Sequence, residues 1–180
     1  MVSLRRRLVT GKQQVSEQSF DFWIEMPPHG LVQGEDYLFG GTRGNLMGGN
    51  GPTRDFKGLI YDYRAVAQHS LNQRYRRTLP QNTIAGIMPS WDNTARRGAN
   101  GHIAYGGNPA TFRAWLQGMQ RGTLAGSYRQ ELFINAWNEW AEKAMLEPSE
   151  TFGHLYLDAL AEATEPAKEN NDLVGLCALG

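Results

Sequence analysis

Four short apolar runs, Phe20 to Met26, Lys57 to Tyr61, Thr83 to Met88 and Leu132 to Ala136, constrain the fold of this chain more than any other feature. They are rich in β-branched and aromatic side chains and only about five to seven residues long, which fits buried strands better than helices. Between and after them stand helical patterns: Arg64 to Arg76 with Val66, Leu71 and Tyr75, Asn108 to Arg121 with Phe112, Trp115, Leu116 and Met119, and Phe152 to Thr164. Asn108-Pro109 sets a capping residue before proline at the first helical position. Leu155, Leu157, Ala159 and Leu160 give the third helix an apolar stripe. Strand and helix alternate, so the expectation is an α/β fold with parallel strands.

Pro27 to Lys57 is a glycine-dense insertion, with Gly40-Gly41, Gly44 and Gly48-Gly49-Asn50-Gly51. It reads as a long loop, with or without a hairpin. No phosphate-cradling glycine motif occurs in it. The tail from Glu165 to Gly180 is expected to pack loosely apart from the apolar Leu173 to Leu179.

The 180 residues suffice for one domain with a real core. Eighteen Lys plus Arg balance eighteen Asp plus Glu, so no overall field favours nucleic acid or an anionic membrane. Arg5, Arg6 and Arg7 are not followed by the apolar stretch of a signal peptide, and no run is long enough for a membrane span. The lone Cys177 allows no internal disulfide. A cytoplasmic protein without nucleic-acid partners is the expectation.

His29, His69, His102 and His154 are scattered without metal-ligand spacing, so no metal is expected, nor any other cofactor, and without a G-x-S-x-G elbow nucleophilic serine catalysis has no signature. Carboxylates and aromatics remain. Phe133-Ile134-Asn135-Ala136-Trp137-Asn138-Glu139-Trp140-Ala141-Glu142 runs from an apolar strand straight into two tryptophans and two glutamates. At the C-terminal end of a barrel strand such side chains project into the active-site mouth. A turn beginning after Glu139 brings Glu139 and Glu142 together as an i, i+3 pair, able to divide acid and base duties at a glycosidic bond. Trp137 and Trp140 can stack on sugar rings while Asn138 binds hydroxyls. A core tryptophan and a solvated helix start explain the same residues equally well.

A second cluster, Pro89-Ser90-Trp91-Asp92-Asn93-Thr94-Ala95-Arg96-Arg97, follows the third strand in the same manner. Trp91 can stack on a sugar, Asp92 and Asn93 can bind hydroxyls, and Arg96 can meet a phosphate or neutralise a carboxylate. A plain turn is the alternative.

At these residues, with Tyr61-Asp62-Tyr63-Arg64, Leu146-Glu147-Pro148 and Gly153, the sequence resembles the WbsX-like glycosyltransferases, whose barrel is similar to that of glycoside hydrolase family 99, the endo-α-mannosidases and endo-mannanases. The resemblance runs from about Phe20 to Thr164. It implies a (β/α)8 TIM-type barrel acting on polysaccharides in surface-polysaccharide or O-antigen assembly. Carried over by position, Glu139 matches the glutamate that assists the sugar 2-hydroxyl in displacing the leaving group, and Glu142 matches the acid/base partner. Ala141 stands where the hydrolases have histidine, as in the WbsX-like branch, and Lys143 replaces the glycine usual after the second glutamate. A complete barrel needs at least about 200 residues, so the chain reads as the C-terminal half. Transfer, hydrolysis and a non-catalytic carbohydrate-binding half-barrel all fit. The partners expected are a saccharide and either an N-terminal half-barrel or a second copy.

Overall fold

The run Thr-Ile-Ala-Gly-Ile offers no polar face, and the chain buries it entirely. In the computed structural model, which describes residues 21–41 and 44–164, Thr83–Ile87 forms β4, the centre of a three-stranded parallel sheet. On one side lies β1 (Trp23–Ile24), in register Trp23 to Thr83, and on the other β6 (Leu132–Ile134), in register Ala85 to Leu132. Gly86 is required here because β1 rides directly on it: a Cβ at this position would come within 2.1 Å of the Glu25 carbonyl oxygen.

A second sheet has β3 (Leu59–Asp62) at its centre, parallel to β5 (His102–Tyr105) and antiparallel to β2 (Tyr37–Phe39). The parallel pairings agree with the expected α/β class. The glycine-dense insertion is more ordered than a plain loop, since Tyr37–Phe39 within it pairs with β3 as Tyr37 to Tyr61 and Phe39 to Ile60. Strand β5 was not legible as a strand: four residues beginning with histidine and enclosed by glycines carry too little apolar signal.

The strand order differs from a chain-sequential barrel. There β3 would neighbour β4, whereas here β3 pairs with β2 and β5 while β4 pairs with β1 and β6. The remaining edge of β5 is taken by the segment after β4: Ala104 donates to the Trp91 carbonyl at 2.8 Å, and Asn93 donates to the His102 carbonyl at 3.2 Å. Among the described residues no closed barrel forms.

The helices begin where the sequence places capping groups. Asp62 accepts from the Arg64 amide at 2.8 Å to start α1 (Tyr63–Leu71). Asn72, in extended conformation, then breaks the expected Arg64 to Arg76 helix in two, capping α2 (Gln73–Arg76) through the Arg74 amide at 2.8 Å. Thr94–Arg97 forms the short α3. Asn108 and Thr111 make a reciprocal capping box for α4 (Pro109–Gly122), as the Asn-Pro step predicts. Leu155–Thr164 forms α5, beginning three residues later than expected.

Phe112, Trp115, Leu116 and Met119 of α4 meet Tyr63 and Val66 of α1, Tyr156 and Ala159 of α5, and Tyr61, Ile87 and Met88 from the strand ends in one core. Two buried polar groups are satisfied inside it: the Tyr63 hydroxyl donates to the Met88 carbonyl at 2.7 Å, and the Trp115 indole to Ser70 at 3.2 Å. No helix among the described residues is long and apolar enough to cross a membrane. Phe20, the Arg5 to Arg7 run, the Leu173 to Leu179 stretch and Cys177 lie outside the described residues.

Candidate functional site

At the end of β6 the chain is pinned before it turns outward. The Asn135 amide donates to the Ile87 carbonyl at 2.9 Å, and its buried side chain donates to the Pro27 carbonyl at 3.2 Å. The carboxyl ends of β1, β4 and β6 therefore deliver their loops to one place. Beyond it, β7 (Asn138–Glu139) and β8 (Ala144–Met145) form an antiparallel ribbon, joined by a single 3₁₀ turn, Trp140–Glu142. Ala144 and Leu146 anchor the ribbon in the core. Its other side faces water, leaving Trp137 and Trp140 52% and 48% exposed. The Trp140 indole donates to Glu147 at 2.7 Å, which fixes the ring on the outer face.

The loop after β4 packs against this ribbon. The Asp92 amide donates to the Glu142 carbonyl at 2.8 Å, the Lys143 ammonium meets Asp92 at 2.8 Å, and the Ser90 hydroxyl donates to the Lys143 carbonyl. Arg96, reaching down from α3, forms an ion pair with Glu142. The two segments picked out by residue type are thus one structural unit, although 46 residues separate Arg96 from Glu142.

The electrostatics of the pair are unequal. Burial holds the Glu142 carboxyl above the ordinary carboxylate value and the charge of Glu139 adds to the rise, while Arg96 and Arg97 oppose it. Glu142 is 8% exposed, whereas Glu139 is half-buried at the end of β7. Burial also acts on Asp92, but hydrogen bonds from Lys143 and Thr94 prevail and hold it below its ordinary value. The Tyr61 hydroxyl is buried without a hydrogen-bond partner, and burial, Tyr37 and the charge of Glu142 all push its pKa up.

Other residues singled out in the sequence have different settings. Trp91 is 4% exposed and packs edge to face on His29, with centroids 5.4 Å apart, so no open face is left for a sugar. Asn93 is buried and spends its side-chain oxygen on the His102 amide at 2.7 Å, which fastens β5. Asp92 is half-buried and engaged by Thr94 and Lys143. Asn138 is exposed at the start of β7, and Arg96 is exposed along its side chain but for the contact with Glu142. Sequence reasoning missed Ser90 and Lys143 as links between the loops, and His29 against Trp91. Their contacts are tertiary and leave no trace in local spacing. Among the described residues no group of three or more His, Cys, Asp or Glu side chains is arranged to hold a metal.

A buried carboxyl held above its ordinary value by burial and by the charge of Glu139, on a ribbon that also carries two exposed indoles, is chemically suited to proton transfer at a sugar oxygen. Comparison with known proteins bears on the same stretch. The chain is 38% identical over 117 residues to the uncharacterized protein WxcX of Xanthomonas campestris pv. campestris, in both strain B100 and strain ATCC 33913. That match takes in 64% of this chain and only 16% of the relative, so the chain spans about a sixth of the length of the curated relatives it matches. No solved structure matches. The family model described as Glycosyltransferase WbsX matches residues 2–160, which takes in both clusters and the sheets that carry them. With that extent of match, the chain belongs to the WbsX glycosyltransferase family.

Proposed function

We propose that this chain acts on glycosidic bonds in the assembly of a surface polysaccharide, an O-antigen or exopolysaccharide, with Glu139 and Glu142 as its catalytic carboxylates. The observation that carries the reading is the unequal pair: Glu142 is buried and raised in pKa, and Glu139 contributes to that rise. In this reading Glu142 donates its proton to the departing sugar oxygen and later recovers one from the acceptor. Glu139 assists at the sugar 2-hydroxyl, the role its position carries by resemblance. Trp137 and Trp140 stack on flanking sugars, and Asn138 binds hydroxyls beside them. Asp92, Asn93 and Trp91 then shape the wall of the site rather than its surface, and Arg96 tempers the acid. The chemistry calls for no cofactor, and the reaction is placed in the cytoplasm.

The same reading makes the chain the C-terminal half of a (β/α)8 barrel whose other strands come from the remainder of a longer protein or from a partner chain. Its small share of the WxcX relatives supports that view.

One observation favours a second reading, a carbohydrate-binding module without turnover: the ion pair with Arg96 already occupies the Glu142 carboxylate. Glu142→Gln separates the two. On a saccharide that the unaltered protein turns over, loss of the general acid lowers turnover by at least about a hundredfold and leaves binding largely intact. Unchanged turnover would reject the assignment.

A further inference from the structure

Lys143 has φ 48°, in the left-handed region that L side chains enter at a cost and glycine enters freely. Its contacts show what accompanies that conformation. Its amide closes the 3₁₀ turn onto the Trp140 carbonyl at 3.1 Å, and its carbonyl accepts from the Ser90 hydroxyl. Its ammonium reaches Asp92 Oδ2 at 2.8 Å, across 51 residues of sequence. The other Asp92 oxygen, Oδ1, accepts from the Thr94 amide at 3.0 Å and the Thr94 hydroxyl at 2.6 Å, so Asp92 also organises the start of α3. The Arg96 amide hangs on the Asn93 carbonyl at 3.1 Å, and its guanidinium returns to Glu142. The links close a ring: Lys143 to Asp92, Asp92 to the start of α3, Arg96 to Glu142, and Glu142 by a peptide bond to Lys143.

We propose that Lys143 is a positioning residue which, acting through Asp92, holds α3 so that Arg96 faces the Glu142 carboxylate. The Arg96 side chain is more than half exposed and its head makes no other hydrogen bond or ion pair among the described residues, so its placement depends on the backbone that carries it. The importance of Glu142 rests on the function proposed above. The ring itself does not.

Asp92→Asn is the discriminating variant, because the asparagine oxygen still serves Thr94 while the ion pair to Lys143 is lost. If charges acted only directly, removing the Asp92 charge would lower the pH at which Glu142 titrates. If the ring holds Arg96 in place, breaking it frees Arg96 and the titration moves up. The readout is the carboxyl carbon resonance of Glu142 in the full chain labelled with ¹³C-glutamate, recognised by its absence in Glu142→Gln. The expected result is an upward shift of about half a pH unit, well inside the spread seen for carboxyls in proteins. A downward shift or none overturns the proposal.

Lys143→Gly suits the backbone conformation and provides a second arm should Asp92→Asn fail to fold. It should also move the titration upward, Lys143→Arg should restore it, and the shift should vanish in an Arg96→Ala background. Persistence of the Lys143→Gly shift without Arg96 would mean that the ammonium acts by its own charge, and would overturn the ring. The titration is read without saccharide, so it reports on the ring whether or not the protein turns over sugar.

Discussion

Replacing Glu25 tests the joint that holds β1, α2 and β4 together. Its carboxylate pairs with Arg76, accepts from the Tyr75 hydroxyl at 2.7 Å and accepts from the Gly86 amide at 3.2 Å. The Glu25 and Arg76 side chains are 7% and 11% exposed, so water can do little to replace a lost partner. Glu25→Ala leaves a buried guanidinium uncompensated, for which about 3 to 5 kcal/mol is typical. The Gly86 amide, left without its side-chain acceptor, pushes toward the upper end of that range. Glu25→Gln keeps an acceptor for one of its donors and should lie at about half the loss, since only the ionic contribution and one contact go. For a chain of this size a loss of about 4 kcal/mol lowers Tm by roughly 8 to 16 °C. Urea titration followed by circular dichroism measures both variants, with the slope of the transition checking that the unfolded state is unchanged. A loss below about 1 kcal/mol for Glu25→Ala would refute the reasoning, because it would mean that Arg76 finds solvent or another partner without effort.

Four further outcomes are expected. Glu139→Gln removes the charge that lifts Glu142 and should move its titration to lower pH, whereas Arg96→Ala removes an opposing charge and should move it to higher pH; carboxyl NMR reads both signs, and equal signs would contradict the site electrostatics. Because the native Glu142 titrates above its ordinary value, its ionisation opposes folding, so its contribution to stability is fully present below that ordinary value and fades as pH rises through the native one. Trp137→Ala should weaken saccharide binding with little change in stability, while the buried Trp91→Ala should cost about 3 to 5 kcal/mol; calorimetric binding and urea titration separate the two, and the reverse pattern would reject both placements. Among the described residues β1 and β6 are the outer strands of their sheet, each paired on one side, so light scattering at tens of micromolar should find dimers, partner complexes or aggregates, and a stable monomer that binds no apolar dye would contradict the half-barrel reading.

The elements most legible in the sequence were those whose signal is local. Thr83 to Met88 is apolar on both faces because β4 is covered on both, and Asn108-Pro109 announces α4 because the cap lies within three residues of what it caps. Asn72 shows the limit: the helical stripe runs through it from Val66 to Tyr75, yet its side chain competes for the backbone and starts a new helix. The turn after Glu139 was legible, since the 3₁₀ turn begins at the next residue. The burial of Trp91 was not, because a tryptophan just beyond a strand has the same local pattern whether it faces solvent or is covered by His29. Arg96 was readable as a partner for some carboxylate, but which one depended on the loop after β4 folding back along β5.

The contact of β1 with Gly86 bears on how variation in this family should be weighed. With 2.1 Å available where a Cβ would stand, every other amino acid at position 86 displaces the backbone of β1, and Glu25 with it. In a saturation library selected only for folding, position 86 should therefore emerge as invariant as any catalytic carboxylate. Invariance there reports a clearance between two strands and says nothing about sugar. The useful contrast lies at positions 137, 139 and 140, where solvent-facing or half-buried side chains leave the fold largely indifferent. A library screened first for folding and then for saccharide recognition would narrow at those three positions only in the second step.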